Sequence, residues 1–314
     1  MQMRTRQWMV THDWMVKPMP QREWIERRGM MVWIAEVFTS LGSGLYLVSL
    51  FMNSWWGMVI GWLIIMFLKL PVHLAYFGKP LRFYRTIPPF SNAWKTSWFA
   101  RGILFTIFFS SFAFVQLVVG YPYISDLLGA AAAPLYYVFA TLAGIFALMT
   151  GIYGGFIMNY CKSVPFWNTG ILPVVFVLAG VADGFGLMMG IALAGGDTST
   201  VAATEMWSRV FLLVNTFIIA VYIVSANYTS ATSKLSVRQV IMGNAAPAFW
   251  LGIVVLGILI PITISVASIF TGGEVSSVIL ITAIVCHTLG AFALKYCLLK
   301  AGIHRPVLPR VSAY

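Results

Sequence analysis

Ionisable and phenolic side chains stand in otherwise apolar stretches of this sequence, where such groups are costly unless they are paired or face water. Glu36, Lys69, His73 and Tyr153 each lie within an apolar stretch, close to one of its ends. Lys69 and His73 are four residues apart and share one helix face. A carboxylate or an imidazole can exchange protons, and a phenol or an imidazole can donate a hydrogen bond to a carbonyl oxygen. This set is therefore suited to proton exchange with a bound carbonyl compound.

A purely structural interpretation of the same side chains remains open. Lys69 would neutralise Glu36 in an ion pair between two helices. His73 would bond to a backbone carbonyl, and Tyr153 would extend toward the membrane surface.

Two further charged residues, Asp183 and Arg209, lie deeper in their apolar stretches or at the other end of them. They could continue a proton route across the membrane, or they could serve helix packing alone.

The composition identifies the elements that hold these side chains. Apolar residues make up 60% of the chain and charged residues 9%, whereas soluble domains average roughly 25% charged. A bilayer core requires about 20 apolar residues per helix. The sequence predicts eight such helices, near residues 31–52, 56–77, 99–120, 134–160, 168–194, 207–229, 247–271 and 275–299. The predicted fold class is an all-α polytopic membrane protein.

The basic residues are distributed unequally between the two faces of this predicted helix array. With eight spans, both termini lie on one face, and 18 of the 20 Lys and Arg residues are predicted on that face. The 18 residues are Arg4, Arg6, Lys17, Arg22, Arg27, Arg28, Lys79, Arg82, Arg85, Lys95, Arg101, Lys162, Lys234, Arg238, Lys295, Lys300, Arg305 and Arg310. The opposite face carries Asp126, Asp197, Glu205 and Glu274. By the positive-inside rule, the termini are predicted to be cytoplasmic and the protein to lie in the cell inner membrane.

The net charge of +11 follows from this topology and indicates contact with membrane lipids, so nucleic acid is not expected as a partner. Only His73 and His287 lie within the predicted spans, whereas a membrane di-haem protein needs about four axial ligands. The three cysteines form no metal-binding spacing. The sequence therefore predicts no haem and no metal bound by this chain.

The longest irregular segment within the helical part of the chain lies between predicted helices 2 and 3. It carries Lys79, Arg82 and Arg85 among aromatic residues, and its prolines are expected to exclude a helix. Such a segment fits a loop at the level of the lipid headgroups. It also fits a surface on which a protein partner docks, because Arg and aromatic residues are enriched at interfaces.

Three segments resemble one family of membrane subunits. They are Gly-Lys-Pro-Leu-Arg-Phe-Tyr at 78–84, the Gly-Ile-Tyr-Gly-Gly-Phe run at 151–156 followed by Val-Pro-Phe-Trp-Asn-Thr at 164–169, and Val-Arg at 237–238 with Gly243, Phe-Trp at 249–250 and Pro261. The pattern is similar to that of the NrfD/polysulfide reductase membrane-subunit family. The resemblance covers roughly residues 31 to 270.

The resemblance implies a haem-free membrane anchor that reacts with quinone, either menaquinone or ubiquinone. It implies a four-cluster iron-sulfur partner and commonly a molybdopterin catalytic subunit. It also implies two four-helix bundles, here at 31–160 and 161–300, between a polar segment at 1–30 and a tail at 301–314. The family's quinone site carries over to the region of Glu36 and Thr39 and to Tyr153. Phe77 departs from the family pattern, and neither Lys69 nor His73 belongs to it.

Two other functions remain open on the sequence. A secondary transporter would also place charged groups near the middle of the membrane, although no internal repeat with broken helices is evident. A passive assembly anchor would keep the basic loops and would tolerate the loss of Glu36 and Tyr153.

Overall fold

The computed structural model describes residues 15–88, 91–270 and 275–307, and eight of its helices are long and apolar enough to cross a membrane. They are α1 (Met30–Phe51), α2 (Trp55–Tyr76), α3 (Trp98–Val119), α4 (Ala132–Tyr160), α5 (Ile171–Gly195), α6 (Thr198–Thr229), α7 (Ala248–Phe270) and α8 (Ser277–Lys300). The prediction of an all-α polytopic membrane protein is thereby confirmed. Arg4, Arg6, Glu274 and Arg310, used in the charge pattern, lie outside the described residues.

Helices α1 and α5 form the centre of the molecule, and small residues let them approach closely. A side chain at Gly44 of α1 would overlap the backbone of Gly180 in α5, and one at Gly184 would overlap the backbone of Gly44. Both helices are mostly buried, whereas the other six expose more apolar surface. The charged residues of α1 and α5 are therefore held inside the protein. The grouping into two four-helix bundles stays a prediction.

Two of the eight helices contain wide π-helical turns. These turns cover Ile64–Lys69 in α2 and Ala248–Leu259 in α7, and Pro71 and Pro261 follow them. A proline removes one backbone donor and its ring clashes with the carbonyl four residues earlier, so a wider turn upstream relieves the clash. Lys69 lies at the end of such a turn.

The two ends of the described chain meet in a short antiparallel pair of strands, β1 (Met19–Pro20) and β2 (Ile303–His304). The Gln21 side chain adds a hydrogen bond to the carbonyl of Leu299. This pairing puts residues 15–29 and 301–307 on one end of the helix array, here named the terminal face. The other end is named the opposite face.

The start of α6 differs from the prediction. The helix begins at Thr198, not near 207, because the Asp197 side chain accepts a hydrogen bond from the backbone N–H of Thr200 and caps the first turn. Gly196 has a φ angle of 69°, in the left-handed region that glycine adopts readily, and it ends α5 just before this cap.

Hydrogen bonds from Thr200 and Ser199 lower the pKa of Asp197 to about 2. Arg209 therefore lies about 16 Å inside α6 rather than at its entrance.

The segment between α2 and α3 also differs from the prediction. Pro80–Thr86 forms a 3-10 helix, with Pro80 at its first position. Proline is accepted there because its missing N–H would have no helical partner. The prediction that prolines exclude a helix is wrong for these residues.

Candidate functional site

A cavity of about 230 Å³ lies near the terminal face, among α1, α2, α3, α4 and α8. Its walls are mostly apolar, and Glu36 and His73 supply a carboxylate and an imidazole to them. The other residues that line it are Trp24, Val32, Tyr76, Phe99, Gly154, Ile157, Met158 and Leu299. An apolar slot with a few polar groups is the usual form of a site for a small organic molecule.

Glu36 projects from α1 into this region with one carboxylate oxygen unsatisfied. Its Oε2 atom is buried and has no hydrogen-bond partner among the described residues. The carboxylate fits there because Gly154 of α4 has no side chain, and a Cβ at that position would contact Oε2. A buried acceptor without a partner is rare in folded proteins, so a ligand or water is expected to complete it.

His73 forms the other polar point of the cavity wall. Its ring stacks on Phe99 of α3 with centroids 5.4 Å apart, and Phe77 meets it edge-on. The Nδ1 atom is buried and lacks a hydrogen-bond partner in the described part of the chain. The stacked rings fix the orientation of the imidazole, and its Nδ1 atom keeps an unused capacity for a hydrogen bond.

Tyr153, Thr39 and Lys69 lie behind Glu36 and do not line the cavity. The Tyr153 hydroxyl lies beside the Glu36 carboxylate and the Thr39 hydroxyl, and its ring fills the space left by Gly102. Lys69 Nζ lies 5.5 Å from the centroid of the Tyr153 ring. These groups support the Glu36 carboxylate from the side away from the cavity.

Lys69 donates a hydrogen bond to Thr106 Oγ1 at 2.9 Å. None of the contact ion pairs of the described residues joins Lys69 to Glu36, although the two charges interact through space. The expectation that Lys69 and Glu36 form a direct ion pair is therefore wrong.

A second polar cluster occupies the middle of the membrane span, beyond Glu36. Asp183 Oδ1 lies 3.2 Å from His287 Nε2 of α8, and Asp183 Oδ2 accepts a hydrogen bond from Ser40 at 3.3 Å. The other ring nitrogen of His287 lies 3.1 Å from the carbonyl of Gly257. Because both neighbours of the ring are acceptors, the doubly protonated imidazolium fits this site best. The contact between His287 Nε2 and Asp183 Oδ1 is close but is not a well-aligned hydrogen bond, so Oδ1 has no aligned donor among the described residues.

Arg209 lies nearer the opposite face and is paired. It contacts Glu205 Oε1 at 3.2 Å on its own helix and donates to Ser265 Oγ of α7 at 2.7 Å. A cavity of about 30 Å³ joins Arg209 and Glu205 to His287. The two residues predicted for a proton path, Asp183 and Arg209, thus lie on either side of His287.

Lys295 was missed as a candidate because the charge pattern assigns it to the basic face. The structure corrects this: Lys295 is 2% exposed and lies inside the protein on α8. A usable signal was present, since His287, Ala291 and Lys295 are spaced by four residues and share one helix face. Two ionisable residues on one face of a membrane helix indicate a polar interior, not a surface.

The three residues predicted to dock a partner, Lys79, Arg82 and Arg85, are exposed at the terminal face. Arg101, at the start of α3, stacks over the ring of Trp98 at 4.6 Å. Aromatic rings and positive charges thus occur together along this segment, as expected for either a lipid or a protein contact.

No group of three His, Cys, Asp or Glu residues in the described ranges could hold a metal ion. The absence of haem and of bound metal stays a prediction.

Comparison with known proteins gives three similar sequences. The C subunit of polysulfide reductase from Wolinella succinogenes is 26% identical over 163 residues, which cover 50% of this chain and 51% of that protein. Protein NrfD of Escherichia coli K12 is 31% identical over 132 residues, covering 38% of this chain and 40% of that protein. The NrfD homolog of Haemophilus influenzae is 24% identical over 166 residues, half of each chain. The chain thus spans about half the length of the curated relatives it matches, or less.

A family model covers much more of the sequence. The model described as polysulphide reductase, NrfD, matches residues 48–307. Glu36 and Thr39 precede the matched region, so their importance rests on the cavity and its contacts. The Gly-Lys-Pro-Leu-Arg loop, the Tyr153 segment and seven complete spans lie within it. The chain is therefore a multi-pass integral membrane protein of the NrfD family.

Proposed function

We propose that this chain is the membrane anchor and quinone-reactive subunit of a respiratory oxidoreductase complex. The observation that carries the proposal is the apolar cavity lined by the carboxylate of Glu36 and the imidazole of His73, each of which has a buried atom without a partner among the described residues. Membership of the NrfD family supports the same assignment.

The cavity offers the groups that quinone chemistry requires. A quinol carries two electrons and two protons, so its site needs apolar walls, a hydrogen-bond donor for a carbonyl oxygen and a group that exchanges protons. His73 would bond to the quinone oxygen and Glu36 would take or deliver a proton. Tyr153, Thr39 and Lys69 would hold the Glu36 carboxylate in place. Direct contact between quinone and Tyr153 would require the Glu36 carboxylate to move.

Electrons would be exchanged with a partner on the terminal face. An iron-sulfur subunit with four clusters is the proposed partner, with a molybdopterin catalytic subunit behind it. The exposed residues Lys79, Arg82 and Arg85 would contact this partner. The positive charge of this face predicts an inner-membrane location with cytoplasmic termini.

Asp183 and Arg209 would continue a proton route from the quinone cavity toward the opposite face. The mid-membrane position of Asp183 and the small cavity between His287 and Arg209 support this extension.

The test starts from the complex purified in mild detergent with its partner subunits. We expect iron-sulfur and molybdopterin subunits, an extractable quinone and no haem Soret band. Glu36→Gln should lower quinol-dependent turnover on the order of a hundredfold, the scale on which loss of a proton-exchanging group acts. Tyr153→Phe should leave the complex assembled and should also abolish most of the turnover.

Glu26→Gln is the matched control, because Glu26 is exposed at the terminal face and pairs with Lys300 at 3.0 Å, away from the cavity. Full turnover in Glu36→Gln would make the chain a passive anchor. Purification as a lone chain without quinone would instead favour a transporter.

A further inference from the structure

Lys295 is the one ionisable side chain of α8 in the protein core that forms neither a hydrogen bond nor a contact ion pair within the described residues. Its Nζ atom lies 3.3 Å from the centroid of the Phe176 ring. The same Phe176 ring lies beside Glu36 Oε2, since both would contact a Cβ at Gly154. The charges of two carboxylates, Glu36 of α1 and Asp183 of α5, act on Lys295 through space. Lys295 thus stands between the quinone cavity and the mid-membrane cluster without belonging to either.

The charges of this region do not balance when every group is ionised. Glu36 and Asp183 contribute two negative charges, and Lys69, Lys295 and His287 contribute three positive charges. An unpaired buried charge is costly in a membrane interior. Removal of one proton makes the region neutral. Lys69 has a hydrogen-bond partner in Thr106 and His287 has two acceptors, so Lys295 is the group best placed to give up its proton.

Two small cavities follow one another from Asp183 toward the opposite face. A cavity of about 20 Å³ lies between Asp183 and Asn215, and both side chains have a buried oxygen without an aligned hydrogen-bond donor. The cavity between His287 and Arg209 measures about 30 Å³. A water molecule needs at least about 10–15 Å³ and two or more polar partners, so each cavity can hold one. His287 lines both cavities and joins them.

We propose that Lys295 is the proton-exchanging residue that connects Glu36 to Asp183, and thereby the quinone cavity to the opposite face. This inference rests on the proposed function. The protonated carboxyl of Glu36 passes its proton to the neutral amine of Lys295, which becomes an ammonium. The ammonium passes a proton to the Asp183 carboxylate and returns to the neutral amine. The flexible four-carbon stem of lysine would carry the amine from one carboxylate to the other, and no electron moves in either step.

The experiment uses the partner-containing complex in vesicles, with a short-chain quinol as substrate and a pH-sensitive dye on the side of the opposite face. Two variants are compared, Lys295→Met and Lys295→Arg. Arginine keeps the positive charge but does not release a proton in proteins. Both variants should therefore lower the rate of proton delivery to the opposite face on the order of a hundredfold. Quinol binding should remain in both, which shows that the site is folded.

Lys300→Met is the matched control, because Lys300 lies on the same helix at the terminal face and pairs with Glu26. Unchanged proton delivery in Lys295→Met, or its rescue by Lys295→Arg, would overturn the assignment. An unsubstituted complex that oxidises quinol without moving protons would overturn it too, while leaving the proposed function in place. A complete lack of quinol turnover would overturn both.

Discussion

The two polar regions of this protein differ in how closely their polar groups approach one another. Around the cavity near the terminal face, Glu36 Oε2 and His73 Nδ1 are buried without partners beside about 230 Å³ of space. Around Asp183, the groups contact one another: His287 lies 3.2 Å away, Ser40 donates a hydrogen bond, and the adjoining cavity is only about 20 Å³.

The difference shows that a polar group in a membrane interior has two distinct uses. Unsatisfied groups beside a large cavity await a ligand, and their replacement affects binding and turnover more than folding. Groups that contact one another across helices hold those helices together, and their replacement affects stability first. The first two of the three predictions below test this distinction between the Glu36 region and the Asp183 region, and the third serves as a reference outside both.

The largest effect on stability is expected at Asp183. Asp183→Ala should lower the free energy of unfolding by about 3–5 kcal/mol, because His287 would keep a buried charge without its partner. Thermal unfolding of the purified complex in detergent measures the change. Glu36→Gln should cost much less, because its Oε2 has no hydrogen bond to lose.

A double variant sharpens this prediction. Replacement of both Asp183 and His287 by leucine should restore most of the lost stability, since apolar side chains can replace a buried ion pair. If the double variant is as unstable as Asp183→Ala, the broken Asp183–His287 pair is not the cause of the lost stability.

A smaller effect, on binding, is expected at Gly154. Gly154→Ala places a methyl group against Glu36 Oε2 and Phe176 Cε1 and forces the carboxylate to shift. We expect quinone affinity to fall about tenfold, equivalent to about 1.4 kcal/mol, which lies within the usual cost of overpacking. Titration with a quinone analogue measures the change.

Gly190→Ala provides the control for this substitution. An added Cβ at Gly190 of α5 meets only Ile284 Cδ1 at 3.6 Å, an ordinary contact. Equal loss of quinone affinity in both variants would exclude a specific effect on the Glu36 carboxylate.

The smallest effect is expected at Asp197, which lies outside both polar regions. Asp197→Ala removes the cap of α6 and should lower the melting temperature slightly. The pKa of Asp197 is lowered from 3.8 to about 2, so its stabilising effect is present above about pH 4 and disappears as the pH falls through 2. Melting curves of both proteins should therefore converge in acid. A constant difference at all pH values would contradict the cap.

The sequence was sufficient to predict the eight spans, because each is a long apolar run with polar ends. It also placed Glu36, Lys69, His73 and Tyr153 at similar depth, since depth follows from the helix rise. It could not show that Glu36 and His73 line the cavity while Tyr153 lies behind, because this depends on the rotation of each helix and on two glycines, Gly102 and Gly154.

The two main errors have local causes. The start of α6 was placed too late because residues 198–206 are mildly polar, and the cap by Asp197 outweighs that signal. Lys295 was assigned to the surface because a rule for loop charges was applied to a residue inside a helix. Its spacing from His287 carried the correct information.

The strand pair that joins Met19–Pro20 to Ile303–His304 has a consequence for the assembly of the protein. Gln21 and Leu299, which bond beside it, are 278 residues apart in sequence. A contact of such separation forms only after nearly all of the chain has been synthesised. Trp24 and Leu299, which both line the cavity beside Glu36, flank this junction. The cavity therefore acquires its final wall last, and a nascent chain that has already inserted seven helices still has an incomplete site.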